Sequence, residues 1–236
     1  MGERRRGRSE RRRSLDALLS SDTDQWLTPL DFLSVLLRLG PVVFDPCGNP
    51  LSVVPAARQV LLPEDGLTAS WPARGLVFCN PPYGRDLPAW AARLAAHAAA
   101  GGEVVSLVPA RTDTGWWSTL DPVVWCAWSG RLRFLQTVAD WRASAAGARW
   151  AAREKKRAAK HEAGERRRLA AAEAAGESYI LKPYQQAAPV EVSPGLLVGD
   201  AAPFPVAVCY HGPRVERFCT AFGASGPIYK RVAVSC

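Results

Sequence analysis

The chain reads as an α/β protein: a mostly parallel sheet covered by helices on both faces, with a basic helical insertion late in the sequence. Three observations predict this. Short apolar runs bounded by turn residues recur at 42–44, 76–79 and 103–108, as in strands buried on both faces. Segments of helical composition alternate with them over short links, the pattern of successive strand–helix units. Residues 139–178 are dominated by Ala, Arg, Lys and Glu, all strong helix formers. At 236 residues, 48% of them apolar, there is material for one such domain plus an insertion.

In chain order, residues 1–20 form an Arg-rich arm whose first thirteen positions carry seven Arg against two Glu. That balance suits either a solvated tail or an arm that contacts a polyanion. A short helix is expected at 15–20 and another at 31–38, leading into a strand at 42–44. A strand at 76–79 follows, then an Ala-rich helix at 87–100 stopped by Gly101-Gly102, then a strand at 103–108. Thr112-Asp113-Thr114 reads as a helix N-cap. Further strands are expected at 123–127 and 206–210. Between them, residues 139–199 form the insertion, expected as one long helix or a helical pair punctuated by Gly147, Gly164 and Gly176. The main domain is accordingly 21–138 with 200–236.

The residues with the clearest chemical content close the 76–79 strand. Asn80-Pro81-Pro82-Tyr83 places two prolines in a row, which fixes two φ angles and removes two backbone donors, leaving a stiff ledge of acceptors. Such a ledge suits an amino-group substrate. The lone pair of an exocyclic or amide nitrogen is delocalised, and acceptors aimed at its two hydrogens draw it toward the tetrahedral form that attacks a methyl group. The Asn80 side-chain oxygen and the Pro81 carbonyl are the candidate acceptors. Tyr83 offers a flat face for a planar target or a sulfonium. Taken alone, the four residues also fit a proline-rich turn. Upstream, the first strand ends in Asp45-Pro46-Cys47-Gly48-Asn49-Pro50, an acidic residue and a Gly-containing turn where doubly wound sheets hold nucleotide-like ligands. Gly48 permits close backbone approach there.

An ordered set of blocks extends these two. Trp26-Leu27-Thr28-Pro29 precedes them, Asp65-Gly66-Leu67 with Trp71 lies between them, and Trp90, Thr112-Asp113-Thr114, Trp116-Trp117, Gly130-Arg131-Leu132-Arg133-Phe134 and Ala202-Pro203-Phe204-Pro205 follow. With Phe44-Asp45-Pro46-Cys47 and Asn80-Pro81-Pro82-Tyr83-Gly84, the set resembles the phage-type, Dam-like DNA N6-adenine methyltransferases over roughly 24–136 and 200–236. The resemblance implies a Rossmann-like, seven-stranded methyltransferase sheet and S-adenosylmethionine as methyl donor. It implies in-line transfer to adenine N6, with the base flipped from the duplex and stacked on Tyr83. It also implies catalytic roles for Asn80, Pro81, Pro82 and Tyr83, and cofactor contacts from Trp26, Thr28, Pro29, Asp45, Pro46, Cys47, Gly48, Asp65 and Asn80. Ser70 stands where many relatives carry an acidic residue. Glu64 and Asp65 are the candidates for the cofactor ribose, with Asp65 favoured as part of a matching block. Asp113 is given no catalytic role.

Charge is concentrated outside the catalytic body. The overall balance is +8, of which residues 1–13 and 141–178 each supply +5, so attraction for phosphates resides in the arm and the insertion. The insertion is either a DNA-gripping, target-selecting element or a solvated spacer. The six cysteines show no Cys-x-x-Cys pair, which fits reduced thiols. Cys209 and His211 lack further clustered ligands, so no metal site is expected. No apolar run approaches a membrane span, and the Arg-rich start is not followed by a signal-peptide core. The expectation is a cytoplasmic enzyme of a bacterium or phage-infected cell that acts on DNA. Two alternatives differ in acceptor and in chemistry: a glutamine N5 protein methyltransferase sharing the Asn-Pro-Pro-Tyr ledge, and a non-catalytic DNA-binding relative.

Overall fold

A computed structural model describes residues 27–185, 189 and 191–231 of the chain. The arm, the helix expected at 15–20 and Trp26 lie outside the described residues. The described chain divides into two compact units, one made of the residues through Phe134 together with those from Ala201, the other Leu135–Asp200.

The first unit is built on a seven-stranded sheet. In chain order its elements are α1 (Leu30–Leu36), β1 (Val42–Asp45), β2 (Arg58–Gln59), β3 (Leu76–Cys79), α2 (Leu87–Ala99), β4 (Glu103–Pro109), α3 (Gly115–Leu120) and β5 (Val124–Ala127). After the second unit come β8 (Val206–His211), α6 (Val215–Phe222) and β9 (Ile228–Lys230). The spatial order is β2-β1-β3-β4-β8-β5-β9. Pairing is parallel from β2 through β4, but β8 runs antiparallel to both β4 and β5, and β9 antiparallel to β5. This corrects the mostly parallel sheet expected from the sequence: three of the six pairings are antiparallel. The reason is topological, since β8 returns from late in the chain and inserts between β4 and β5.

Side-chain alternation along the central strands feeds two cores, one on each face. Leu76 and Phe78 of β3 point to one face and Val77 and Cys79 to the other. The first face is closed by Phe32, Leu33 and Leu36 of α1 and by Phe218, Ala221 and Phe222 of α6. The second is closed by Leu87, Trp90, Ala91 and Leu94 of α2 and by Trp117 and Leu120 of α3. A register shift in β1 between Val42 and Phe44 breaks the alternation there, sending Val42 to the first core and Phe44 to the second.

One polar cluster ties the first face together. Arg214 forms a two-pronged ion pair with Glu103 at 2.8 and 2.7 Å and also donates to the Leu39 carbonyl. The Tyr210 hydroxyl donates to the same Glu103 carboxylate at 2.5 Å. The start of β4, the end of β8 and the chain after α1 are thereby joined through one buried-edge network.

The second unit is entered and left through a two-stranded pair, β6 (Arg133–Thr137) and β7 (Leu196–Ala201). Within it, α4 (Val138–Ala143) is followed by the 31-residue α5 (Ala145–Ala175). Thr137 and Ser144 cap their N-termini through side-chain oxygens. Gly147 and Gly164 are inside α5, and Gly176, with φ 70°, ends it. Of the expected alternatives, the structure shows a short helix followed by one long one.

Candidate active site

The loops at the carboxyl ends of β1 and β3 bring most of the expected site residues together, because the two strands are parallel neighbours with Phe44 beside Val77. Asp45 closes β1 and is 3% exposed. Its carboxylate accepts the Cys47 N–H at 2.9 Å, and its own carbonyl accepts Val60 N–H from the chain after β2. Burial pushes the Asp45 carboxyl up to about 6, against the opposing pull of the Cys47 N–H. Cys47 and Cys79 meet across the two strand ends with their sulfurs 3.6 Å apart, and burial holds the Cys47 thiol well above its ordinary value.

Glycine makes the next contact. A Cβ on Gly66 would lie 1.9 Å from the Pro46 carbonyl oxygen and 2.9 Å from the Trp90 ring, so the Asp65-Gly66-Leu67 turn is pressed directly against the Asp45-Pro46-Cys47 turn. Trp71 fixes that turn by donating its indole N–H to the Gly66 carbonyl at 2.9 Å, while packing on Phe44 and under the Arg93 guanidinium. Asp65 sits at the surface of this pair of turns and its carboxylate accepts the Leu67 N–H. Glu64 is instead ion-paired to Arg58 at 2.5 Å. Gly48 is crowded by Gln59, whose Cβ would lie 2.7 Å from a Cβ on the glycine.

Asn80 follows β3 directly. Its side-chain amide donates to the Thr28 hydroxyl at 3.4 Å, and its oxygen accepts the Tyr83 hydroxyl at 2.7 Å. The Tyr83 hydroxyl also lies 3.1 Å from the Leu107 carbonyl of β4. Pro81 is buried and Pro82 exposed, so the ledge is anchored at its first proline. The half-buried Tyr83 ring is gripped edge-on by Phe134 at 6.0 Å and Phe204 at 5.5 Å. Burial raises the Tyr83 phenol well above its ordinary value, keeping it a donor.

The Tyr83 hydroxyl thus holds the Asn80 side-chain oxygen, a contact beyond the flat surface that the sequence predicts for the ring. The Asn80–Tyr83 spacing of three residues around two prolines was the available signal. Phe134 and Phe204 belong to two of the ordered blocks, and the structure shows what those blocks do: both deliver an aromatic ring to Tyr83. Thr28 and Pro29 are buried beside Asn80 at the start of α1, whereas Trp26 is outside the described residues. At α3, Thr114 rather than Asp113 is the capping residue, and it makes no side-chain cap bond.

Among the described residues, no group of three or more His, Cys, Asp or Glu side chains is arranged to hold a metal ion, and no helix is long and apolar enough to cross a membrane. Cys209 is fully buried in the sheet, and the His211 ring instead meets the Leu120 carbonyl at 2.8 Å. A separate hollow of about 370 Å³ lined by Trp117, Trp125, Lys230 and Arg231 contains none of the expected site residues.

No curated protein and no solved structure was found to match the chain. A family model described as DNA N-6-adenine-methyltransferase (Dam) matches residues 16–152, a span that contains α1 through β5, both strand-end turns and the Asn-Pro-Pro-Tyr ledge.

Proposed function

The chain belongs to the DNA N-6-adenine-methyltransferase (Dam) family, and from that premise we propose that it transfers a methyl group from S-adenosylmethionine to N6 of an adenine turned out of the DNA. The observation that carries this reading is the Asn80 carboxamide, oriented by the Tyr83 hydroxyl at 2.7 Å at the carboxyl end of β3, next to the buried Asp45 turn.

The donor set fits a sulfonium cofactor. Asp45 is a carboxylate destabilised by burial, so a neighbouring cation or hydroxyl donors would restore its charge. Thr28, Pro29, Asp45, Pro46, Cys47 and Gly48 would line one side of the cofactor, Asp65 would take the ribose, and Trp26 would complete the entry segment. When bound, S-adenosylmethionine supplies the electrophilic methyl group.

The chain's own residues then have one task, which is to make a poor nucleophile competent. The Asn80 oxygen and the Pro81 carbonyl accept the two N6 hydrogens and localise the nitrogen lone pair. The stiffness imposed by Pro81 and Pro82 keeps those acceptors in place without reorganisation. Tyr83 aims the Asn80 oxygen through its hydroxyl and offers its half-buried ring as the surface for the extruded base. No strong general base is required, because the methylated nitrogen is acidic and releases its proton to solvent. The family assignment favours a DNA base over a glutamine amide as the acceptor. Incubation with methyl-labelled cofactor and unmethylated DNA, followed by hydrolysis to nucleosides, is expected to place the label on N6-methyladenine. Label recovered on protein glutamine, or on no acceptor at all, would refute the proposal.

A further inference from the structure

The long helix α5 sorts its charges by face. Glu154 and Glu165, each 3% exposed, are eleven residues apart and so lie within about 20° of each other around the helix. Both are used internally. The Tyr184 hydroxyl donates to Glu154 at 2.8 Å, and Arg157 pairs with it at 2.6 Å. Glu165 accepts the Tyr179 hydroxyl and the Lys182 N–H and is ion-paired with Arg168. Hydrogen bonding, the Lys182 N–H first, lowers the Glu165 carboxyl below its ordinary value.

Residues 179–184 therefore form a strap running antiparallel to the helix. Glu165 and Glu154 are eleven residues, about 16.5 Å, apart along the axis; Tyr179 and Lys182 meet the first and Tyr184 the second, so the segment runs back toward the start of the helix. The strap covers one face of α5 and removes its buried acids from solvent.

The opposite face is purely cationic. Arg153, Lys156, Lys160 and Arg167 are all exposed and project within a stripe about 60° wide, centred roughly 140° from the strap-covered face. None of the four makes an ion pair among the described residues, in contrast to Arg157, Arg166 and Arg168. The remaining acids of the helix, Glu162 and Glu173, fall outside the stripe, and Arg149 continues its line. The stripe from Arg153 to Arg167 is about 21 Å long, the axial rise of roughly six phosphates along one DNA strand. Beside the stripe, Ala163 and Gly164 fill the gap between Lys160 and Arg167, and α5 contains no Asn, Gln, Ser or Thr, the neutral side chains that read base edges alongside Arg and Lys.

We propose that this stripe grips the DNA phosphate backbone and contributes affinity without sequence preference, the strap serving to keep the helix's buried acids away from it. This rests on the reading of the chain as a DNA-modifying enzyme. It assigns Arg153, Lys156, Lys160 and Arg167 to backbone attraction, and takes from α5 the target-selecting role that its position also allowed.

The test is the full chain carrying Arg153→Ala, Lys156→Ala and Lys160→Ala together, substitutions that favour the helix, with retained far-UV dichroism as the folding check. DNA affinity is measured from 50 to 200 mM salt on two duplexes of unrelated sequence. Each phosphate contact contributes about 0.9 to the log–log salt slope. The parent should therefore lose about 40-fold more affinity across that range than the triple variant. Binding at low salt should weaken equally on both duplexes, with the bases that become methylated unchanged. Arg166→Ala, which removes a cation already paired with Glu162, should leave the slope near that of the parent. An unaltered slope in the triple variant, or a loss confined to one duplex, overturns the proposal while leaving the methylation reading intact. A parent chain that methylates no DNA refutes that reading itself.

Discussion

Replacing Tyr83 with Phe isolates the hydroxyl that aims Asn80, because the ring and its edge-on packing with Phe134 and Phe204 are retained. The hydroxyl has one hydrogen and, among the described residues, reaches the Asn80 oxygen at 2.7 Å and the Leu107 carbonyl at 3.1 Å. Removing it therefore costs about one hydrogen bond, on the order of 1 kcal/mol of stability. For a chain of this length that lowers the melting temperature by about 2–4 °C. The larger effect is on turnover. The Tyr83 hydroxyl is the short contact to the Asn80 side chain, at 2.7 Å, whereas the Thr28 contact, at 3.4 Å, is near the long limit for a hydrogen bond. If orientation of the Asn80 oxygen contributes about 1–2 kcal/mol selectively to the transition state, the methyl-transfer rate falls about 5–30-fold. Cofactor affinity should be unchanged, because the hydroxyl faces Asn80 and Leu107 rather than the Asp45 turn. Single-turnover transfer from labelled cofactor, alongside calorimetric titration of the cofactor, separates the two quantities. Transfer within twofold of the parent would show that Asn80 needs no aiming by Tyr83.

Gly66→Ala should destabilise the chain by at least about 1–3 kcal/mol, the usual cost of overpacking, because the new methyl would lie 1.9 Å from the Pro46 carbonyl oxygen. Thermal unfolding measures it, weakened cofactor binding should accompany it, and an unchanged melting temperature would contradict the packing of the two turns. Asp45 should make cofactor binding depend on pH. Its folded value of about 6 means that it is protonated below that pH, and a cation or hydroxyl donors bind the carboxylate better, so affinity should fall by up to tenfold per pH unit as pH drops below 6. Asp45→Asn should bind weakly and lose this dependence; a flat profile in the parent would remove Asp45 from the cofactor site. The same group affects stability with the opposite sense: its raised value means the folded state holds the proton more tightly, so without cofactor this contribution declines as pH rises from about 4 to 6.

What was legible in the sequence follows from how locally each feature is encoded. β3 is predicted at its observed bounds, and β1 and β4 to within one residue, because Gly, Pro and Asn punctuate predominantly apolar runs. The Ala-rich α2 was equally plain, ended by paired glycines. Strand order was not legible: nothing in residues 206–210 says that they slide between β4 and β5, and the antiparallel half of the sheet results from that long-range choice. β2 and β9, of two and three residues, are too short to carry a period. At the site, the acidic turn and the Asn-Pro-Pro-Tyr ledge are contiguous in sequence and stood out as motifs. The surroundings of Asn80 and Tyr83 depend on Thr28, which meets Asn80, and on Leu107, Phe134 and Phe204, which meet Tyr83, and only the folded chain gathers them. The strap over α5 was hidden for the same reason, since Glu154 and Glu165 look like ordinary surface acids until Tyr184 and Tyr179 reach them.

Asn80→Ala tests the central claim most directly, with cofactor affinity and methyl transfer to DNA measured on the same preparation. The account predicts transfer reduced to background and cofactor affinity lowered far less, because the acceptor removed is the one proposed to face the substrate amine while the Asp45 turn is left intact. Transfer at the parental rate would contradict it.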